Sequence, residues 1–438
     1  MATKIKAPSG AFPYDKLVQG PVKRSTRPGS HIVRAGLATL ALASLGPSLA
    51  HAQAMGGSNR PLTFGAQVVS TYDSNPARGS ASAAAIRGLQ DDEIVVSPQL
   101  TVAYSHNVGL QGLTLSGAFG YDEHTKNSHL NAEHIDLSAA ASRAVGARCS
   151  VNGAVTVNRA QSNLENVSVA VSKDIVTTYN LSGGESCATP TGITESVQVT
   201  RSASHNSDST LVDFNTTGVS GSVGYENDVV GNVGLLVSYN RTSYVDIPTI
   251  SIATPNGVES TSFGVTLSRP FGARLSGNAS VSYTTSHQDS RPDELVETKS
   301  SYSGLTASAG LNYLIGPRLN LAAQLSRNVT GSAYQNVGYA IDTDASLTAH
   351  YTVSSRISAN LGGSWSRNAN RGVVDVVPLA TLVTPDWTET AAVFGGVSVQ
   401  IGRRAAVSLD LRHEKGSADI DLYEYTNNRV SLTLSTSL

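Results

Sequence analysis

From Leu305 to Asn328 the chain alternates between two kinds of side chain. Leu305, Ala307, Ala309, Leu311 and Tyr313 are interleaved with Thr306, Ser308, Gly310 and Asn312. After Gly316-Pro317-Arg318, Leu319, Leu321, Ala323 and Leu325 alternate with Asn320, Ala322, Gln324 and Ser326. A period of two puts the sets on opposite faces of an extended strand, one face apolar and the other polar. About ten alternating residues, tilted, are enough to cross a bilayer, and few soluble sandwich strands run so long. The unit recurs along the chain, which predicts an all-β fold: a closed antiparallel transmembrane β-barrel.

Forty glycines in 438 residues and a hydrophobic content of 40% suit such a barrel. A net charge of -2, with no basic helix or aromatic-basic module, excludes a dedicated nucleic-acid binder. The single helix-length apolar stretch is Ala35 to Ala50. Lys4, Lys6, Lys16, Lys23, Arg24, Arg27 and Arg34 precede it, and Ala50-His51-Ala52 follows as a small-x-small site. That is the layout of a secretory signal peptide, residues 1–52, leaving 53–438 as the barrel. The segment contains no adjacent arginine pair, so twin-arginine export is not indicated.

The connections alternate in length. Short turns fall at Val108-Gly109, Val145 to Ala147, Asp228 to Gly231, Pro270 to Gly272, Val353 to Ser355 and Gly402-Arg403. Longer polar segments fall at Ser162 to Lys173, Asp246 to Gly257, His287 to Glu294 and Asn368 to Pro385. This is the asymmetry of bacterial outer-membrane barrels, whose short turns are periplasmic and whose long loops lie outside. Counting predicts about eighteen strands, with sixteen as the alternative because 174–187 and 209–225 alternate poorly. Closure is required, since an open sheet edge would leave backbone groups unpaired in hydrocarbon. The connection from Asp73 to Asp91, rich in Ala, Ser and Gly, reads equally as a flexible loop or a lumenal plug. Pro98 lacks an amide hydrogen, so its strand needs a bulge or a local break in the ladder. A soluble β-solenoid is the competing fold, but solenoids do not alternate long and short connections.

Arginines recur near the upper ends of the upward strands: Arg159, Arg201, Arg241, Arg327 and Arg367, at intervals of 42, 40, 86 and 40 residues. All share the parity of the apolar face below them. Outward guanidinia there can reach lipid phosphates while their stems stay in the apolar zone, or can pair with loop carboxylates. Tyr104, Phe119, Tyr121, Tyr239, Phe263, Tyr283, Tyr313, Tyr351 and Trp365 share the outward parity and form the expected aromatic girdle. The opposite face includes Ser116, Thr156, Ser238, Ser280, Gln324 and Ser408, with Asp410 and Arg412 also inward. Such a lumen exchanges hydrogen bonds with neutral hydrated solutes without a strong ionic trap.

No motif indicates an enzyme, a cofactor or a metal. His124, His129 and His134 match no metal-ligand spacing and read as surface histidines. Ser, His and Asp are numerous, but number alone makes no triad.

TYDSNPAR, Thr71 to Arg78, followed by DDEIVVSPQLTVAY, Asp91 to Tyr104, resembles the opening of a family of outer-membrane β-barrel porins associated with exopolysaccharide or capsule production. The similarity continues loosely through Tyr121 and the arginine-ended strands. The resemblance implies a place in the bacterial outer membrane and a role in passing polysaccharide across it, with periplasmic export components as partners. It supplies no catalytic residues. The last strand, Val430, Leu432, Leu434, Thr436 and Leu438, has the character of a signal to the barrel-assembly machinery, although many such proteins end in phenylalanine. The alternatives are a general diffusion pore for small polar solutes and a non-conducting structural or adhesion barrel. Outer-membrane lipid and lipopolysaccharide are the expected surroundings.

Cys149 and Cys187 are the only two cysteines. They lie at the same end of two adjacent predicted strands with the same parity, and an exported chain permits oxidation, so they are expected to pair.

Overall fold

The computed structural model describes residues 62–162, 171–208, 211–245, 256–289, 301–330, 337, 339–371 and 384–437. The signal segment, residue 438 and the middles of the loops expected at 162–173, 246–257, 287–294 and 368–385 lie outside the described residues.

Eighteen strands follow one another: β1 Leu62–Asp73, β2 Glu93–Val108, β3 Gln111–His124, β4 Ala132–Val145, β5 Cys149–Gln161, β6 Ile175–Ala188, β7 Ile193–Asn206, β8 Asp213–Asn227 and β9 Gly231–Val245. The circuit continues with β10 Gly257–Phe271, β11 Leu275–Asp289, β12 Ser301–Ile315, β13 Leu319–Thr330, β14 Tyr339–Thr352, β15 Ile357–Arg371, β16 Trp387–Ile401, β17 Ala405–Ala418 and β18 Tyr425–Ser437. Each pairs antiparallel with its sequence neighbours, and β1 pairs with both β2 and β18, which closes the barrel. Closure leaves no strand edge to be satisfied by lipid.

The stretches 174–187 and 209–225 enter the wall as β6 and β8, so the count is eighteen and not sixteen. Their apolar faces are interrupted by Gly183 and Gly221, which weakened the sequence pattern without preventing pairing. β11 and β15 also run further than expected. They take in His287 to Asp289 and Asn368 to Arg371, because backbone pairing continues above the apolar belt, where Asn368 and Asn370 are buried and donate to Asp342 and the Pro385 carbonyl. Opposite Pro98 the β2–β3 ladder skips Ser97 and Pro98 while β1–β2 continues. The Ser97 hydroxyl spans the gap to Asp122 at 2.5 Å.

Seven of the eight short turns carry a glycine with positive φ, such as Gly316 at 66°. The β14–β15 turn lacks one. There the Ser354 hydroxyl accepts from the amides of Arg356 and Ile357, at 3.3 and 3.2 Å, in a local hydroxyl-capped turn.

The exposed apolar residues form a belt facing away from the barrel axis. On β10, Phe263 (58% exposed) and Phe271 (47%) bound it. Eight residue steps between them are about 26 Å along the strand, or about 20 Å of membrane depth at the usual tilt. Tyr225, Tyr313 and Tyr351 mark the short-turn edge, and Tyr121, Tyr179 and Tyr239 lie toward the long-loop edge. The protein is a transmembrane β-barrel.

Buried apolar clusters collect at the long-loop end. The β1–β2 connection holds helix α1, Ala81–Arg87. Its alanines favour helix, the Ser80 hydroxyl accepts from the Ala83 amide, and Gly88 ends it at φ 66°. Ala83 packs with Ala418 and Tyr423 beside the β17–β18 connection. Ala77, Ala84 and Leu89 pack with Leu130, Val171, Val176 and Leu211, contributed by the next three outer connections and β6. The first connection is therefore an ordered cap within apolar contacts that run along about half the rim.

Candidate functional site

Parity divides the wall. From β3 to β17 the even-numbered residues face the lumen; on β1, β2 and β18 the odd ones do. The inner face of β5 to β13, half the circumference, carries no charged residue except Glu226 at the short-turn end. It is made of Ser, Thr, Asn, Gln, Gly and a few apolar residues. Its hydroxyls bond across strands: Ser196 to Ser222 at 2.7 Å, Thr216 to Thr242 at 2.9 Å and Ser262 to Thr284 at 2.8 Å.

The lumenal residues named from sequence are spread along this wall rather than gathered at one point. Ser116 bonds Ser138 at 2.7 Å, the Asn180 amide donates to Thr156 at 3.1 Å, and Ser280 bonds Ser308 at 2.5 Å. Ser238 is flanked by Ser220 and Ser262. Gln324 is exposed, whereas Ser408 is only 3% exposed. Asp410 lies between Gly396 and Ser431, and Arg412 donates to Glu414 at 2.7 Å.

The inward charges occupy the other half, on β14, β17, β18 and β1 to β4, and most hold structure together. Arg78 of the first connection forks to Asp73 on β1, at 3.0 Å, and to Glu414 on β17, at 3.1 Å, with all three side chains largely buried. Glu414 also accepts from Tyr425 at 2.8 Å. Arg78 is the only non-glycine among the described residues with positive φ, 50°. That conformation costs about 1–2 kcal/mol, and two buried ion pairs hold it. Glu93 contacts His124 at 2.9 Å and accepts from Asn127 at 3.0 Å; His134 contacts Asp122 at 3.1 Å. His124 and His134 are thus inward and largely buried, not surface histidines, because both hold even positions on β3 and β4.

In the loops, Asp174 is buried. One carboxylate oxygen accepts from the Asp208 amide at 3.0 Å and from the Ser207 hydroxyl at 3.3 Å. Burial pushes its pKa above the usual aspartate value despite those bonds.

The recurrent arginines stand on the outer face at the long-loop edge, each in a different setting. Arg159 pairs with Glu133 at 2.8 Å, and Arg241 with Glu259 and Asp289 at 3.4 and 3.5 Å. Arg327 donates to the Thr343 hydroxyl at 3.3 Å, and Arg367 lies 5.4 Å from the centre of the Trp387 ring. Arg201 has no ion pair among the described residues. Pairing with rim carboxylates therefore accounts for two of the five. Near the short-turn edge, Cys149 and Cys187 are direct ladder partners with Cα atoms 4.1 Å apart, and their sulfurs are bonded.

No family model matches the sequence, and no curated protein matches it. Among solved structures the chain is similar to the FrpB iron transporter from Neisseria meningitidis, at 10% identity over 82% of this chain and 64% of that one, with a TM-score of 0.44. It is also similar to OccK2 (OpdF) from Pseudomonas aeruginosa, at 11% identity over 86% and 98%, TM-score 0.43. A third is the siderophore receptor PirA from Pseudomonas aeruginosa, at 10% over 87% and 81%, TM-score 0.42. The chain spans 64% of the length of FrpB. Likeness at this level carries nothing about cargo, which has to be read from the wall itself.

Sequence reasoning missed Arg78, Glu414 and the buried histidine pairs. Parity alone could have placed Glu414, His124 and His134 inward. Only three-dimensional contact could have joined Arg78 to Glu414.

Proposed function

We propose that the protein is a bacterial outer-membrane channel for hydrated, hydroxyl-rich solutes, with polysaccharide export as its setting. The observation that carries this reading is the nine-strand stretch of hydroxyl and amide wall from β5 to β13, uncharged apart from Glu226 at its short-turn end. Such groups replace the hydrogen bonds of water around a sugar one for one, and with no fixed charge nothing holds the solute in place. The inward charges are concentrated on the opposite half, where Arg78 ties down the cap. The resemblance of Thr71 to Tyr104 to porins of polysaccharide-producing systems supports the export setting.

In this reading residues 1–52 are a cleaved signal peptide, the barrel-assembly machinery inserts the chain, and the short turns face the periplasm. Lipopolysaccharide surrounds the outward arginines, and the channel serves periplasmic export components without a chemical step of its own. A second reading, a diffusion pore for small polar solutes, is favoured by the ordered first connection packed at the long-loop rim. The two separate in a deletion strain. Loss of surface polysaccharide, restored by the intact gene, supports export; unchanged polysaccharide with slower uptake of small sugars supports the diffusion pore.

A further inference from the structure

At the periplasmic mouth the charge is sorted by side. Five of the eight short turns place an arginine immediately before the upward strand: Arg148, Arg274, Arg318, Arg356 and Arg404. Their carbonyls accept from the amides of Ala188, Leu314, Thr352, Gln400 and Ser437 at 2.7–2.9 Å, so each continues the ladder by one residue. Each is even-numbered and so carries lumen-facing parity. All five are exposed, and none has an ion pair among the described residues. Arg403 adds a sixth exposed guanidinium beside Arg404.

Four of these turns are consecutive, from β10 to β17. Around them, residues 264–280, 308–324, 348–362 and 394–409 contain no Asp or Glu; the nearest inward acid there is Asp410. The turns from β6 to β9 are the reverse, with Glu185, Glu195, Glu226 and Asp228 and no Lys or Arg in 182–200 or 218–234. Neighbouring hairpin turns are two strands apart, about 10 Å, close to the Debye length of about 8 Å at physiological salt. Salt therefore largely screens each arginine from the next, but the spacing lets a flexible polyanion meet several guanidinia at once.

We propose that this arc is a capture site for a carboxylate-bearing polysaccharide entering from the periplasm. The inference rests on the channel reading and adds the substrate class: an acidic glycan, held by its charges at the mouth and passed along a wall that offers only hydrogen bonds. Guanidinium forks match carboxylates in geometry, and an arginine at the edge of the lumen has donors free for them.

The test is binding of a fluorescent oligogalacturonate to the folded full-length protein in detergent, read by anisotropy, so it does not depend on conduction. Arg274→Gln, Arg318→Gln, Arg356→Gln, Arg403→Gln and Arg404→Gln together are expected to weaken binding about tenfold, since each exposed contact adds only a little. The all-lysine counterpart is expected to retain most of the binding, which guards against a folding artefact. A neutral maltooligosaccharide binds both proteins equally if the inference holds; its failure to enter wild type counts against the channel reading instead. Equal oligogalacturonate binding by wild type and the glutamine variant overturns the proposal. So does a variant that loses only co-purified anionic phospholipid, which would assign the arginines to lipid headgroups.

Discussion

Removing the Arg78 guanidinium should release the cap from the barrel wall. Its side chain is 8% exposed, as against 12% for Asp73 and 5% for Glu414, so both ion pairs are shielded from water. Deleting one partner of a buried pair costs about 3–5 kcal/mol, mostly because the other charge is left uncompensated. Here Glu414 keeps Arg412 and Tyr425, and Asp73 keeps the Asn75 amide, so the lower figure applies. About 3 kcal/mol raises the population of the released cap roughly a hundredfold. Arg78→Ala keeps the strained backbone, whereas Arg78→Gly relieves it and should recover about 1 kcal/mol of the loss. Hydrogen exchange at Ala84 to Leu89 on the folded barrel measures this directly, with Arg78→Ala exchanging fastest, Arg78→Gly next and wild type slowest. Equal protection in all three would refute the latch and leave the apolar packing, with the hydrogen bonds of Ser80 to Leu422 and Gln90 to Asn127, as what holds the cap.

Alkylation without reductant should leave the folded protein unmodified, and the Cys149→Ser, Cys187→Ser double variant should still fold but lose stability. Chain entropy for the 38-residue separation sets an upper figure of about 4 kcal/mol; two alkyl adducts on unreduced protein would exclude the bond. Because burial raises the pKa of Asp174, its ionisation opposes folding. The associated stability is complete below the ordinary aspartate value and is lost as pH rises through the raised one. The melting temperature of Asp174→Asn relative to wild type should therefore climb with pH across that window, and a constant difference would contradict the assignment. Replacing Arg201, Arg241, Arg327 and Arg367 together by Gln should reduce lipopolysaccharide co-purification from a barrel that still folds; unchanged lipid would leave these arginines to rim contacts alone.

The wall was legible in the sequence because its information is local. A period of two, a glycine turn and a strand long enough for the bilayer each occupy fewer than twenty residues, and parity alone places Arg159, Gln324 or Cys187 on a face. The cap was not legible. Ala, Ser and Gly from Asp73 to Asp91 have no periodicity, and the contact that orders them joins Arg78 to Glu414 across 336 residues. His124 and His134 were misjudged as surface residues from their spacing, although the parity of β3 and β4 already placed them inward. The sorting of lumenal charge emerges only once the order of strands around the circuit is known. Asp342 and Arg429 are far from Glu93 in the chain, yet all three belong to the charged half.

The central claim is that the uncharged half of the wall lines an open, water-filled path. Single-channel conductance in planar bilayers, measured with neutral polymers of increasing size on one side, tests it most directly. The account predicts steady conductance that small neutral polymers reduce and large ones leave unchanged, with the cut-off shifted upward in Arg78→Ala. A correctly folded barrel that inserts and carries no current, in wild type and in Arg78→Ala alike, would contradict it.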